Sequence, residues 1–218
     1  MSEISYEVIK FIGDLYEENT YICIHKPSKK VVVIDPGTDM AIQYICDNNL
    51  EVEAILLTHG HIDHILKTDS YVEKFNTPVY IHVLEKRKLT DPALHLGSLG
   101  GFENFTVSAK PITFKGANGL LHLPNFAIEF FLAPGHSEGN TIFHIVDTNS
   151  YFVGDSVFKD SIGRYDLPGS NARDHLFALK KMTTLPQHAK LYSGHGGIFR
   201  VSDLEKNEVF QRFIDIGM

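Results

Sequence analysis

The sequence predicts an α/β fold in which two β-sheets pack face to face and helices cover them on the outside. Three observations carry that expectation: short β-rich runs cluster in both halves of the chain, helical patterns lie between them, and no low-complexity linker divides the halves. With 218 residues, 43% hydrophobic and 22% charged, there is apolar material for one sizeable core and too little length for two ordinary domains. Residues 1–218 are therefore read as a single domain.

The first strands are expected over residues 6–12, 20–25 and 30–34, the last ending in the turn signal Asp35-Pro36-Gly37. Residues 39–49 space Met40, Ile42, Ile45 and Cys46 as a helix would, with Asp39 available to cap it. Ala54-Ile55-Leu56-Leu57 is wholly apolar, which suits a strand covered on both faces, and it stops at Thr58. A helix to about Phe75, a strand over 78–83 and a weakly patterned stretch over 88–110 follow; the last, with Gly97, Gly100 and Gly101, suits a cover over a site. In the second half, strands are expected over 126–132 and 141–146, and Tyr151-Phe152-Val153 leads into Gly154-Asp155. Residues 172–182 fit a helix, and 190–193 a last strand before Gly194-His195-Gly196.

Twenty Lys and Arg against 27 Asp and Glu give a formal charge of −7, which argues against a surface for nucleic-acid phosphates or anionic lipid. No run approaches the ~18 apolar residues of a membrane span. Residues 1–10 carry Glu3 and Glu7 and lack an apolar stretch behind a basic start, unlike a secretory signal. Cys23 and Cys46 both lie in apolar runs and read as small buried hydrophobes, which fits a reducing cytoplasm.

Histidine is in surplus, with 12 residues against 2 Cys, and one segment concentrates it. Thr58-His59-Gly60-His61-Ile62-Asp63-His64 brings three imidazoles and a carboxylate together. Residues two apart at the end of an extended segment face one side, so His59 and His61 can converge on an ion, with Asp63 and His64 turning in beside it. Further ligands are expected from strand-end loops, where His136, Asp155 and His195 each follow a glycine that permits a sharp turn. His25, His82, His95, His122, His144, His175 and His188 lack such a setting and are expected to be satisfied or solvent-exposed; His95 or His122 would meet the site only if the cover folds inward.

In order and spacing, Asp35-Pro36-Gly37, the 58–64 motif, Pro134-Gly135-His136-Ser137, Gly154-Asp155-Ser156-Val157-Phe158, Gly163-Arg164-Tyr165-Asp166 and Gly194-His195-Gly196 resemble the metallo-β-lactamase-fold hydrolases. Within them the likeness is to the glyoxalase II-like branch, in its short single-domain bacterial form. The resemblance implies a four-layer αββα sandwich of the metallo-β-lactamase type. It implies a first metal held by His59, His61 and His136, a second held by Asp63, His64 and His195, and Asp155 bridging them. Five imidazoles and two carboxylates without a thiolate accept zinc, the first expectation, and also iron or manganese.

Two such ions lower the pKa of a shared water and hold hydroxide for attack on a carbonyl carbon, so no Ser or Cys nucleophile is required. Asp63 is positioned to orient that nucleophile as well as to ligate. The implied substrate is a small-molecule thioester, as in hydrolysis of S-lactoylglutathione to lactate and glutathione. Arg164, through its planar fork, and Tyr165 are candidates for substrate contact; the competing role for Arg164 is pairing with Asp155 or Asp166. Asp35 and Thr58 are expected to support the ligand loops by hydrogen bonds. The chain departs from glyoxalase II in having 23 residues after His195, where glyoxalase II has a helical extension that helps bind glutathione, and in Leu66-Lys67, where the family usually has glycine. A competing redox reading, a mononuclear iron persulfide dioxygenase, would use two His and one Asp; the complete set Asp63, His64 and His195 favours hydrolysis.

Overall fold

Alternation of side chains along the strands builds the layers. In the computed structural model, which describes residues 5–146 and 148–216, β1 (Tyr6–Ile12), β2 (Asn19–His25), β3 (Lys30–Ile34), β4 (Glu51–Leu57), β5 (Val79–His82) and β6 (Ile112–Phe114) form one sheet in sequence order. β1 to β3 are antiparallel and β3 to β6 parallel. The second sheet has the order β12-β11-β10-β9-β8-β7, from β7 (Asn118–His122), β8 (Ala127–Leu132), β9 (Thr141–Ile145), β10 (Ser150–Gly154), β11 (Lys190–Ser193) and β12 (Phe199–Arg200). Only its β10–β11 pair is parallel. Of the N-terminal segment read above as unlike a secretory signal, residues 1–4 lie outside the described residues.

Ile22, Val31, Val33, Ile55 and Leu57 face outward and pack with Ala41 and Ile45 of α1 (Met40–Asp47) and Tyr71 of α3 (Thr68–Phe75); the short α2 (Ile62–Ile65) carries part of the histidine motif. The intervening Tyr21, Cys23, Val32, Ile34 and Leu56 point inward to Ile128, Phe130, Phe143, Phe152 and Tyr192 of the second sheet. On the far side, Val153 and Leu191 lie under Ala178, Leu179 and Met182 of α4 (Ala172–Met182) and Phe210 of α5 (Glu208–Ile216). The result is the expected αββα sandwich, and β4 is covered on both faces as its apolar run requires. No helix among the described residues is long and apolar enough to cross a membrane.

Several local expectations need correction. Asp39 makes no side-chain cap to α1; its carboxylate instead pairs with Lys67 at 2.8 Å. Cys46 is exposed while Cys23 is buried, because only the stripe of α1 bearing Ala41 and Ile45 faces the sheet. The 88–110 stretch, expected as a cover over a site, contributes to the core, since Leu89 and Val107 are buried against the first sheet.

Candidate metal centre

The ends of β3, β4, β8, β10 and β11 gather at one edge of the sandwich, tied by main-chain bonds from Thr141 N to Thr58 O at 2.9 Å and from Gly194 N to Gly154 O at 2.9 Å. Asp35, just past β3, accepts from Thr58 N at 2.7 Å and from the Thr58 hydroxyl at 2.6 Å, and meets His64 Nδ1 at 3.0 Å. Asp35 and Thr58 thus support the histidine loop as expected. With its carboxylate already occupied by three donors, Asp35 is a poor ligand even though it clusters with His59 and His64.

His59, His61 and His136 bring one ring nitrogen each to a common point: His61 Nδ1 is 3.1 Å from His59 Nε2 and 2.9 Å from His136 Nε2. The outer hydrogen bonds fix what these atoms carry. His136 Nδ1 faces the Arg164 carbonyl at 2.9 Å, which can only accept, so Nδ1 holds the proton and Nε2 is bare. The Thr58 hydroxyl donates to Asp35 and therefore accepts from His59 Nδ1 at 3.1 Å, which leaves His59 Nε2 bare too. The single proton available on His61 Nδ1 cannot satisfy both. A cation does, and the spacing is close to the roughly 3.3 Å between ligands of a tetrahedral ion with ~2.0 Å bonds.

The second group comprises Asp63, His64 and His195. His195 Nε2 lies 3.2 Å from Asp63 Oδ2, and His64 Nε2 lies 3.6 Å from the same oxygen. Asp155 stands between the groups, 3.3 Å from His64 Nε2, 3.4 Å from His195 Nε2 and 3.6 Å from His136 Nε2. His64 and His195 spend their Nδ1 atoms on Asp35 and on the Tyr16 carbonyl, the latter at 3.0 Å. His61 Nε2, His64 Nε2 and Asp155 Oδ1 are buried without a hydrogen bond. Gly194 admits this crowding, since a Cβ there would fall 2.1 Å from Asp155 Oδ1. Donor set, spacing and the orphaned His64 Nε2 and Asp155 Oδ1 fit divalent cations.

Electrostatics differ between the groups. Burial, then neighbouring imidazoles, holds His59 and His61 well below the usual histidine range, and burial lowers His136. Burial also opposes charge on His64 and His195, but Asp63, Asp155 and Asp35 outweigh it at His64, and Asp155 and Asp63 lift His195 to about 10. Burial would raise Asp155, yet His64 and His195 hold it well below the carboxylate range.

Of the candidates for substrate contact, Arg164 pairs with Asp166 through Nε at 2.9 Å and a terminal nitrogen at 3.0 Å, and does not reach Asp155. Its carbonyl is what touches the centre, through His136. Tyr165 lies against Phe213, ring centroids 4.8 Å apart at a 34° tilt, and borders a pocket of about 550 Å³ with Ile162, Gly163, Arg212 and Phe213. His95 is held by Gly97 N and the Phe105 carbonyl, away from the ligands, while its own carbonyl accepts from Ile62 N. His122 is exposed on β7. His175 overturns the expectation of a satisfied or exposed ring. It is fully buried on the sheet side of α4, its two nitrogens make no hydrogen bond, and burial pushes it down to about 4. The Tyr16 carbonyl is a contact that no side-chain pattern could announce.

The model of the Metallo-beta-lactamase superfamily matches residues 15–195, and the chain belongs to that superfamily. A Bacillus subtilis (strain 168) protein named "Probable metallo-hydrolase YqgX" is 38% identical over 185 residues, spanning 83% of this chain and 85% of that one. A "Hydroxyacylglutathione hydrolase" of Wigglesworthia glossinidia brevipalpis is 28% identical over 203 residues, 90% of this chain and 71% of the other. Among solved structures, the BLEG-1 B3 metallo-beta-lactamase matches with a TM-score of 0.87 at 31% identity, covering 94% of this chain and 99% of its own. TTHA1623 in a di-iron-bound form matches with a TM-score of 0.80 at 27% identity, covering 93% and 99%. Family and site together mark a metallo-hydrolase of this superfamily, with His/Asp clusters suited to divalent metal ions.

Proposed function

We propose that the chain, acting as one domain in the cytoplasm, hydrolyses a small thioester of the S-lactoylglutathione type with two divalent metal ions. His59, His61 and His136 hold the first ion, Asp63, His64 and His195 the second, and Asp155 lies between them. The observation that carries this reading is the convergence of imidazole nitrogens and carboxylate oxygens on two adjacent points, with Asp155 within 3.6 Å of both sets. When bound, the ions supply an acidified water and positive charge for the oxyanion that develops on the thioester carbonyl. Zinc is the first expectation; the similarity to a di-iron-bound structure makes iron the main competitor.

The chain's own groups do the rest. Asp63, whose Oδ2 lies at the centre, orients the attacking water and accepts its proton. The Arg164 carbonyl and Asp35 engage the Nδ1 atoms of His136 and His64 and so aim their Nε2 atoms at the metal positions. The pocket beside Tyr165 and Arg164 receives the substrate, with Gly163 at its inner edge. The −7 charge favours a small molecule over nucleic acid or membrane as the partner.

Similarity to a B3 metallo-beta-lactamase at 31% identity supports a second reading, hydrolysis of a β-lactam amide by the same site. Purified protein assayed with S-lactoylglutathione and with a β-lactam, beside metal analysis, separates the two. Cleavage of the β-lactam alone would overturn the thioesterase proposal. Oxygen uptake on glutathione persulfide without hydrolysis of either would return the redox alternative.

A further inference from the structure

Two buried charged side chains outside the ligand set join the loops that carry His59, His61 and His136. Glu85 and Lys88, in the 3₁₀ segment Val83–Thr90 after β5, are 0% and 3% exposed. Glu85 Oε2 accepts from Gly60 N at 2.8 Å, between two of the histidines. Its other oxygen accepts from Gly139 N at 2.7 Å and from the Ser137 hydroxyl, in the loop that begins at His136. Lys88 Nζ closes the set, donating to Ser137 Oγ at 2.8 Å and lying 3.1 Å and 3.2 Å from the Glu85 oxygens. The approach is possible only past bare main chain: a Cβ on Gly60 would fall 2.6 Å from Lys88 Cβ, and one on Gly139 2.8 Å from Glu85 Cγ.

A buried ion pair is weak evidence for stability, because desolvation offsets the attraction. What this one achieves is geometric, since one carboxylate spans two loops far apart in sequence. We propose that Glu85, held in place by Lys88 and Ser137, is a positioning residue for the first metal: it sets the separation and tilt of the 59–61 and 136–139 loops so that the three imidazoles converge. The proposal rests on the metal-centre reading above. Nothing in the clamp touches His195, which is held from the Tyr16 side.

The test is a titration of full-length protein with Co²⁺ against a competing chelator, read by metal content and by the visible cobalt spectrum. Wild type should take two equivalents. Glu85→Gln should weaken one of them by about 10- to 100-fold, the range for lost outer support of a ligand, with an altered spectrum for that equivalent and the other unchanged. Ser137→Ala, which leaves the ion pair intact, should shift the same equivalent less, and it carries the test if Glu85→Gln does not fold. Two equivalents bound by wild type and by both variants with equal affinity and identical spectra, whatever the melting temperatures, would overturn the clamp alone. A wild type that takes up no cobalt would overturn the dinuclear reading and the clamp with it.

Discussion

His59, His61 and His136 are walled in, at most 3% exposed, and their partners are buried side chains and the Arg164 carbonyl. His195, by contrast, leaves 24% of its side chain in solvent. It leans on the carbonyl of Tyr16, which together with Glu17 adopts a left-handed φ of 56° on an exposed turn. Side chains with a Cβ hold that conformation at a cost. One half of the centre is therefore fixed wholly by buried partners, while the other joins the buried His64 to a ligand, His195, held by a surface turn. The contrast teaches that two adjacent ligand sets, three imidazoles in one and two imidazoles with a carboxylate in the other, are held unequally; on the dinuclear proposal the first ion should be bound tightly and the second exchangeably.

The largest expected effect abolishes the contrast. Asp155→Ala removes the group shared by both halves, and hydrolysis should fall by roughly 10³-fold or more together with metal content. His59→Ala should remove activity as completely, whereas His195→Ala should keep one metal equivalent. Metal analysis beside thioester hydrolysis checks all three.

Proton competition should sharpen the difference. In the metal-free protein His195 titrates near 10 and His64 is raised, so at neutral pH the second ion must displace protons. Its affinity should rise with pH across the neutral range, about tenfold per unit for each proton displaced. The first-site imidazoles are lowered and already neutral, so affinity there should be nearly flat above pH ~6.5. Calorimetry in buffers of different ionisation heat would reveal protons released with one equivalent only; equal release with both would break the comparison.

Tyr16→Val, a β-branched residue that resists positive φ, should weaken the second equivalent by about tenfold while Tyr16→Gly leaves it intact. The remaining effect is on stability rather than metal binding and concerns the packing behind His136, where His175 lies against Gly135. A histidine whose folded pKa is depressed, here from 6.5 to about 4, stabilises the fold fully above the unfolded pKa and loses that contribution as pH falls toward 4. The loss is about 3 kcal/mol. His175→Leu should flatten the fall in melting temperature between pH 6.5 and 4; an unchanged slope would contradict this.

The strand-end residues were legible because each carries a local signal: a glycine before the ligand type, at the close of an apolar run. The sandwich was legible because β2, β3 and β4 read as β-rich, largely apolar runs, and folding buries them almost throughout. Glu85 and Lys88 gave no such signal. In Val83-Leu84-Glu85-Lys86-Arg87-Lys88 the residues before and between them are exposed, and the approach of Gly60 and Gly139 from distant loops buries them. β6, β7 and β12 are short or interrupted by Gly119, so tertiary pairing rather than local pattern makes them strands. The Tyr16 carbonyl is backbone, and sequence cannot mark it.

The most direct test of the central claim is stepwise metal loading of chelator-treated protein, with S-lactoylglutathione hydrolysis followed at each step. Two unequal equivalents are predicted, with hydrolysis absent from the metal-free protein and reaching its full rate as the second binds. Full activity after removal of both metals, or saturation at a single equivalent, would contradict it.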